Sequence, residues 1–271
     1  MQGNTTDRVR LAERAEALRA LHGGPELLVL PNAWDVASAR VFEEAGFPAI
    51  ATTSSGIAAA HGFSDGEGMP ADEMLAAVAR ITAALGVPVT ADLEAGYGLE
   101  PADLARRTIQ AGAAGLNFED SDHRGSGPLV DAARQAERIA ALKESARAEG
   151  VDLVVNARVD VHLRDVGPTG DRLDEAVRRA RAYREAGADC IFVPGVSDDG
   201  TIGALAGAVP APLNVLAVRK TPPLSRLREL GVARVTLGGG PMKATLAALR
   251  NAALRLAADG EFAGLTAAPR G

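Results

Sequence analysis

The sequence predicts a (β/α)8 barrel of the TIM type, preceded by one additional helix. Its 271 residues suit a single barrel, a fold that typically takes about 250 residues. Eight short apolar runs alternate with Ala-rich amphipathic patterns, and several of these patterns end in Gly, which favours the left-handed turn that closes a helix. Runs that are apolar throughout are typical of parallel strands buried on both faces. These observations predict one domain over residues 1–271.

The predicted strands and helices alternate in a regular order along the chain. The apolar runs lie at 27–30, 48–52, 88–91, 115–119, 152–157, 189–193, 213–217 and 234–238. Helical patterns lie between and after them at 34–45, 70–85, 101–111, 131–149, 172–186, 198–208, 222–230 and 241–258, and the additional helix lies at 6–21. A doubly wound open sheet is the alternative, but no Gly-x-Gly-x-x-Gly turn follows the first run.

Composition and charge limit the class of partner. The formal net charge is −6 and aromatic residues make up 3% of the chain. An acidic surface repels phosphate backbones and anionic lipid, and few aromatic rings are present to stack on bases. The N-terminal segment lacks the apolar core of a signal peptide, and the single cysteine, Cys190, excludes an internal disulfide. We therefore expect a cytoplasmic protein that acts on a small molecule and binds neither nucleic acid nor membrane.

Acidic residues follow two neighbouring strands, at the end of the barrel that carries active sites in this fold. Asp92 and Glu94 come after the third run and share one side if strand alternation continues, while Glu119 ends the fourth run. Three carboxylates at one pole would repel one another unless a cation neutralised them. Oxygen ligands without Cys or His select Mg²⁺, with Mn²⁺ as the alternative ion. The competing interpretation is that the carboxylates cap the next helix or pair with arginines.

Groups suited to an anionic substrate follow other strands. Arg158, after the fifth run, offers a planar pair of donors to a carboxylate or phosphonate, although a structural salt bridge is the alternative. Thr53, Ser54 and Ser55 offer hydroxyl and backbone N–H groups after the second run, where a plain loop is the alternative. Asn214 lies on the seventh run. These residues are the predicted substrate-binding groups.

Two Gly-containing segments are predicted to be loops over the mouth of the barrel. The segment 61–68, named the flap below, holds three glycines and is expected to exclude water on closure, with Asp65 as its candidate functional residue. The segment 121–128 contains His123, a candidate general acid or base. For both residues a solvated loop side chain is the alternative. Cys190 lies within an apolar run and is interpreted as a buried small hydrophobic residue.

Three motifs carry a resemblance to a known family. Residues 91–98 read Ala-Asp-Leu-Glu-Ala-Gly-Tyr-Gly, residues 117–120 read Asn-Phe-Glu-Asp, and residues 157–160 read Ala-Arg-Val-Asp. They are similar to the metal motif, the second acidic motif and the substrate-binding Arg segment of the isocitrate lyase and phosphoenolpyruvate mutase superfamily. The similarity extends from 31–35 to 237–241.

The resemblance implies a role for individual residues. Asp92, Glu94 and Glu119 would hold Mg²⁺, directly or through water, and Thr53, Ser54, Ser55 and Arg158 would hold the substrate. Gly96 and Tyr97 would lie beside the metal, and Asp65 matches the flap aspartate. The family also implies that the last helix, 241–258 here, is swapped between subunits of a homo-oligomer, a dimer or a tetramer.

The chain departs from the family in one loop. The lyases carry a Lys, Cys, Gly, His loop whose thiol handles the proton of the leaving carbon acid, whereas residues 121–127 here read Ser-Asp-His-Arg-Gly-Ser-Gly. The mutases also use a Lys in this region, and Pro194-Gly195 replaces a polar residue of the lyases. The acid or base of a retro-aldol cleavage would then be Asp65, His123 or a hydroxide on the metal.

These features together predict a Mg²⁺-dependent carbon–carbon lyase. Its substrate would be a small 2-oxo or 2-hydroxy di- or tricarboxylate, such as oxaloacetate, isocitrate or 2-methylisocitrate, that reacts through an enolate. Decarboxylation demands least of the altered loop, because CO₂ leaves without an acid catalyst. Two alternatives stay open: P–C bond chemistry on phosphonopyruvate, and a non-catalytic protein that binds 2-oxo acids.

Overall fold

A computed structural model describes residues 4–266 of the chain. Nine parallel strands form one sheet: β1 (Leu28–Leu30), β2 (Asn32–Ala33), β3 (Ile50–Thr52), β4 (Val89–Asp92), β5 (Gly115–Glu119), β6 (Val154–Arg158), β7 (Cys190–Phe192), β8 (Leu213–Leu216) and β9 (Arg234–Thr236). The helices are α1 (Asn4–His22), α2 (Val36–Glu44), α3 (Ser54–Ala60), α4 (Ala71–Ala83), α5 (Pro101–Gln110), α6 (Ala132–Ala148), α7 (Arg172–Glu185), α8 (Asp199–Ala208), α9 (Leu224–Glu229), α10 (Gly240–Asp259) and α11 (Ala263–Thr266).

The nine strands form the predicted eight-stranded barrel, because β1 and β2 are two parts of the first barrel strand. The sheet order is β1-β9-β8-β7-β6-β5-β4-β3-β2, so β1 pairs with the last strand and β2 with the next one along the chain. Pro31 separates the two parts and has no N–H to donate, but its carbonyl accepts a hydrogen bond from the Ala51 N–H at 3.0 Å. The barrel therefore closes at Pro31, where the two ends of the sheet meet. The first barrel strand is longer than the predicted 27–30, because it continues after Pro31 as β2.

Helix α1 covers the amino-terminal end of the barrel, as expected for an additional helix before the first strand. Leu11, Ala15 and Leu18 on α1 are buried. Arg19 on the same helix bonds to Asp189, the residue immediately before β7, at 2.9 Å. The opposite, carboxyl-terminal end of the barrel is thus the end available to a ligand.

The predicted helices agree with the structure to within two residues at each end, and two short α-helices were not predicted. The 34–45 pattern begins at Val36, because Asp35 caps α2 by accepting from the Ser38 N–H at 2.7 Å. Residues 53–56 were predicted as a turn, whereas 54–60 form the helix α3, and no helix was predicted at α11. None of the helices within 4–266 combines the length and the apolar content that a membrane crossing needs.

The last long helix, α10, lies on the surface. Four of its leucines are between 43% and 62% exposed: Leu246, Leu249, Leu254 and Leu256. An apolar row of this size is unusual on a solvated helix. The predicted exchange of this helix between subunits stays a prediction.

Candidate active site

A cavity of about 660 Å³ opens at the carboxyl ends of the strands. Nine of the predicted functional residues line it: Thr53, Ser54, Ser55, Asp65, Asp92, Glu94, Glu119, His123 and Arg158. Asn117, Arg164 and Lys243 line it as well, although none of the three was predicted as a site residue. The barrel thus brings together, at one site, residues as far apart in the sequence as Thr53 and Lys243.

Glu94 lies just beyond β4 and is 3% exposed. Its φ of +48° turns the chain out of the extended conformation, a costly geometry for a residue with a side chain. Its carboxylate accepts hydrogen bonds from the Tyr97 hydroxyl and the Glu67 backbone N–H, both at 2.7 Å. Burial, together with the charges of Asp92 and Glu119, raises the pKa of Glu94 to about 7. The site therefore holds more negative charge than its own residues neutralise.

Glu119 ends β5 and is also buried. One carboxylate oxygen, Oε1, lies 2.7 Å from His123 Nε2, and the other, Oε2, lies 2.6 Å from Arg158 Nη1. Oε2 is buried and accepts no hydrogen bond among the described residues, so its contact with Arg158 is an ion pair. Burial raises the pKa of Glu119, although Arg158 and His123 act in the opposite direction. The hydrogen bond to Glu119 in turn raises the pKa of His123.

Asp92 lies beside these groups and is fully engaged in hydrogen bonds. Its Oδ2 accepts from the Ser54 N–H at 3.0 Å and the Ser54 hydroxyl at 2.8 Å, and its Oδ1 accepts from the Asn117 amide at 3.1 Å. The ligand atoms that all lie within 4.8 Å of one another belong to Glu94, Glu119 and His123. The predicted metal role of Asp92 stays a prediction, and His123, predicted as an acid or base, joins the possible ligands.

The donors of this cluster fit a divalent metal ion. Two carboxylates and one imidazole form an oxygen-rich set that suits Mg²⁺ or Mn²⁺. Glu119 Oε2 is a buried oxygen that accepts no hydrogen bond among residues 4–266, and Arg158 Nη1 lies 2.6 Å from it as a cation. The raised pKa of Glu94 is also consistent with a cation at this site, because a nearby positive charge would favour the ionised carboxylate.

Arg158, at the end of β6, is fixed by neighbouring carboxylates. It donates to both oxygens of Asp160, from Nε at 2.6 Å and from Nη2 at 2.9 Å. The Asp160 backbone N–H is held in turn by Asp120 Oδ1 at 2.9 Å. Burial opposes the charge of Arg158, but Glu119 and Asp160 raise its pKa above the ordinary value. Arg158 therefore does form the structural salt bridge that was considered as an alternative, and its side chain also lines the cavity.

The segment predicted to bind an anion is the first turn of α3. Thr53 caps this helix by accepting from the Gly56 N–H at 3.4 Å, and its hydroxyl lies 3.0 Å from the Ser55 hydroxyl. The Ser54 hydroxyl donates to Asp92, so the Ser55 hydroxyl is the more available of the two for a substrate. The predicted substrate contacts of all three residues stay predictions.

Glu67 in the flap connects it to the rest of the site. Its backbone N–H donates to Glu94, and its carboxylate accepts from the Tyr97 N–H and from Arg124 Nε, the latter at 3.2 Å. Arg124 Nη2 also donates to the Tyr97 carbonyl at 2.7 Å. The flap and the 121–128 loop are thus joined by hydrogen bonds beside the candidate metal site. Asp65 is exposed at the cavity mouth.

Three predicted substrate-binding residues do not line this cavity. Asn214 is fully buried inside the barrel, where its amide pairs with the Thr236 hydroxyl at 3.3 Å. Tyr97 supports Glu94 instead, at 5% exposure. Gly96 has a φ of +92°, and a Cβ there would lie about 3 Å from Leu104 and Phe118. Asn214 was predicted from its strand, and Gly96 and Tyr97 from the family resemblance, but neither signal gives the depth of a side chain.

Comparison with known proteins agrees with this site. The profile of the family described as phosphoenolpyruvate phosphomutase matches residues 18–257. An uncharacterized protein of Mycobacterium tuberculosis is 39% identical over 89% of this chain and 88% of its own length. The 2-methylisocitrate lyase of Bacillus subtilis is 30% identical over 78% of this chain and 70% of its own.

A solved structure shows the same similarity in three dimensions. The phosphoenolpyruvate phosphomutase of Streptomyces platensis superposes with a TM-score of 0.83 at 28% identity, over 94% of this chain and 92% of that one. The chain belongs to the isocitrate lyase and phosphoenolpyruvate mutase superfamily.

Proposed function

We propose that this protein is a divalent-metal-dependent carbon–carbon lyase acting on a small 2-oxo or 2-hydroxy di- or tricarboxylate. The observation that carries the proposal is the cluster of Glu94, Glu119 and His123 at the strand ends, whose possible ligand atoms all lie within 4.8 Å of one another. A divalent ion held by these residues, with Asp92 nearby, would supply a positive charge to stabilise a developing enolate oxygen. The ion would be Mg²⁺, or Mn²⁺ as the alternative.

The chain's own residues would bind and orient the substrate. Arg158 presents a fixed guanidinium, but Glu119 and Asp160 already balance its charge. Arg164 and Lys243 also line the cavity, and neither forms an ion pair with another residue of the described chain. These two cations would receive a second carboxylate of the substrate, which favours di- and tricarboxylates over monocarboxylates.

The altered loop favours decarboxylation among the possible reactions. The lyases of the family use a thiol here, whereas residues 121–127 of this chain contain neither Cys nor Lys. Loss of CO₂ needs no acid catalyst, and water could return the proton to the enolate. Retro-aldol cleavage needs a base on the substrate hydroxyl, for which His123 and Asp65 are the candidates.

A substrate panel tests the proposal. The purified protein is incubated with Mg²⁺ or Mn²⁺ and, separately, with oxaloacetate, isocitrate, 2-methylisocitrate and phosphonopyruvate, while pyruvate, glyoxylate and phosphate are measured. We expect metal-dependent pyruvate from oxaloacetate. Lys243→Gln should raise KM for a dicarboxylate more than it lowers kcat, and Lys220→Gln, outside the cavity lining, should change neither. Turnover that is unaffected by a chelator would refute the metal-dependent mechanism.

Two other outcomes separate the alternatives. Turnover of phosphonopyruvate alone would assign P–C bond chemistry, which the phosphomutase family profile supports. Binding of 2-oxo acids without any turnover would identify a binding protein. The homo-oligomer is a further proposal, supported by the exposed leucines of α10, and light scattering after size exclusion would measure its mass.

A further inference from the structure

Two asparagines form a hydrogen-bonded chain beneath the candidate metal site. The register places Asp92 opposite Asn117, and Asn117 opposite Asn156, on adjacent strands β4, β5 and β6. Asn117 Nδ2 donates to Asp92 Oδ1 at 3.1 Å, and Asn156 Nδ2 donates to Asn117 Oδ1 at 2.7 Å. The last acceptor, Asn156 Oδ1, is buried and has no partner among residues 4–266. The chain therefore ends on an atom that needs a donor.

An unpaired donor lies inside the same barrel. Arg234, on β9, is completely buried, and its Nε and Nη2 have no hydrogen-bond partner in the described part of the protein. Its Nη1 lies 3.5 Å from His22 Nε2, and no described carboxylate lies within ion-pair distance. A buried guanidinium with two unused donor atoms is costly, and such groups in proteins are normally satisfied by an ordered water.

Register places the side chains of Arg234 and Asn156 on the same face of the barrel sheet. Asn156 pairs with Cys190 on β7, and Phe192, two residues further along β7, pairs with Asn214 on β8, which pairs with Arg234 on β9. Burial raises the pKa of the Cys190 thiol to about 12, and the positive charge of Arg234 lowers it in part. No hydrogen bond joins Arg234 to Asn156 directly, since Asn156 Oδ1 and the Arg234 Nε and Nη2 atoms all lack a partner among residues 4–266.

The two ends of the chain also fix the direction of its hydrogen bonds. A carboxylate only accepts, so Asp92 requires the NH₂ group of Asn117. Asn117 then offers its oxygen and requires the NH₂ group of Asn156, whose oxygen is left for another donor. A guanidinium only donates. Arg234 is thus the kind of group that the free end requires, and every donor in the chain points toward Asp92.

We propose that one ordered water joins Arg234 to Asn156 Oδ1, and that the chain of Arg234, this water, Asn156 and Asn117 positions the Asp92 carboxylate. Ser54 holds Oδ2 of that carboxylate, and the asparagine chain holds Oδ1. Rotation of Asp92 away from the cavity would break bonds on both sides. Arg234 is a positioning residue, since it acts on the site through the asparagines. The link to metal affinity rests on the proposed metal site.

Two variants interrupt the chain while keeping the barrel filled. Asn156→Asp keeps the shape and can pair with Arg234, but its carboxylate cannot donate to Asn117. Arg234→Met removes the buried charge and the donors, and Arg234→Lys restores one cation. Cys190→Ala is the matched control, because Cys190 is a buried neighbour outside the chain. Thermal unfolding and circular dichroism establish that each variant is folded.

The first measurement is a high-resolution crystal structure of the wild-type protein without metal. We expect one water within hydrogen-bond distance of both Arg234 and Asn156 Oδ1, and Asp92 in the orientation described. An empty gap, or a direct contact between these side chains, would overturn the water-bridged chain. This measurement does not depend on any enzymatic activity, so it is decisive even if the proposed reaction is wrong.

The second measurement is Mn²⁺ affinity, followed by the paramagnetic signal of the free ion. Loss of a residue that orients a metal site from behind typically weakens metal binding by about 10-fold or more. We expect that loss for Asn156→Asp and Arg234→Met, partial recovery for Arg234→Lys and wild-type affinity for Cys190→Ala. Unchanged affinity in folded Asn156→Asp and Arg234→Met would refute the positioning role. Absence of Mn²⁺ binding by the wild-type protein would instead refute the metal site.

Discussion

Removal of the Tyr97 hydroxyl should change the pH at which the metal binds. Tyr97 donates to Glu94 Oε1 at 2.7 Å, and this hydrogen bond opposes the effect of burial on the Glu94 pKa. Tyr97→Phe deletes the donor and keeps the ring, which is only 5% exposed. The positive φ of residue 97, +55°, is equally unfavourable for Phe, so the backbone cost is unchanged.

The size of the effect follows from the charge on the acceptor. A hydrogen bond to a charged group contributes about 1.5–3 kcal/mol, which corresponds to one to two pKa units. The pKa of Glu94, about 7 in the wild-type protein, should therefore rise to about 8 or 9. Because a protonated carboxyl cannot bind a cation well, Mn²⁺ affinity at neutral pH should fall, and it should recover as the pH is raised through the new pKa.

The assay is a series of Mn²⁺ titrations between pH 6 and pH 9, in which the midpoint of the affinity profile is compared between variants. Tyr183→Phe is the matched control, since the only other tyrosine of the chain donates to Asp120 and does not contact Glu94. It should leave the midpoint in place. A midpoint that does not move in folded Tyr97→Phe, or that moves to lower pH, would show that this hydroxyl does not control the ionisation of Glu94.

Three further changes test other parts of the molecule. Asp65→Asn should lower kcat by about 10²-fold or more with little change in substrate affinity if Asp65 takes part in proton transfer, and an equal loss of both would indicate a binding role. His22 has its pKa lowered to about 4 by burial, so folding stability should fall by about 3 kcal/mol as the pH drops from 6.5 to 4; urea unfolding of His22→Gln should lack that loss. Gly98→Ala places a Cβ against the Arg124 guanidinium and should increase hydrogen exchange in the flap, whereas Gly150→Ala, with similar φ but open space, should not.

Much of the fold could be predicted from the sequence because a parallel barrel buries both faces of its strands. Each of the eight apolar runs corresponds to a strand of the barrel. The Gly residues at the helix ends marked where a helix ends and the next strand follows. What failed was local: 53–56 was interpreted as a turn because Ser and Gly are common in turns, whereas 54–60 form a helix. There Thr53 accepts from the Gly56 N–H and starts a helix, and the run Ile57 to Ala60 supplies good helix formers.

The site was less predictable, because its geometry depends on where the chain leaves the strand. Alternation placed Asp92 and Glu94 side by side, but β4 ends at Asp92 and the positive φ of Glu94 redirects its carboxylate toward Tyr97. No sequence motif pointed to Glu67. Its backbone N–H reaches Glu94, 27 positions away in the sequence, only when the flap is folded. A short acidic and Gly-containing loop was the only available signal.

The position of His123 separates the two carbon–carbon reactions. Its Nε2 is taken up by Glu119 at 2.7 Å, and its Nδ1 faces the flap, where a Cβ on Gly66 would lie 3.6 Å away. The bond to Glu119 occupies one ring nitrogen and the other lies beside Gly66, and a metal ion bound to both residues would also hold the imidazole in place. Retro-aldol cleavage needs a free base, whereas decarboxylation needs only charge stabilisation of the enolate. This arrangement supports the proposed decarboxylation over a retro-aldol cleavage that uses His123 as its base, and it leaves Asp65, exposed at the cavity mouth, as the side chain to test for that role.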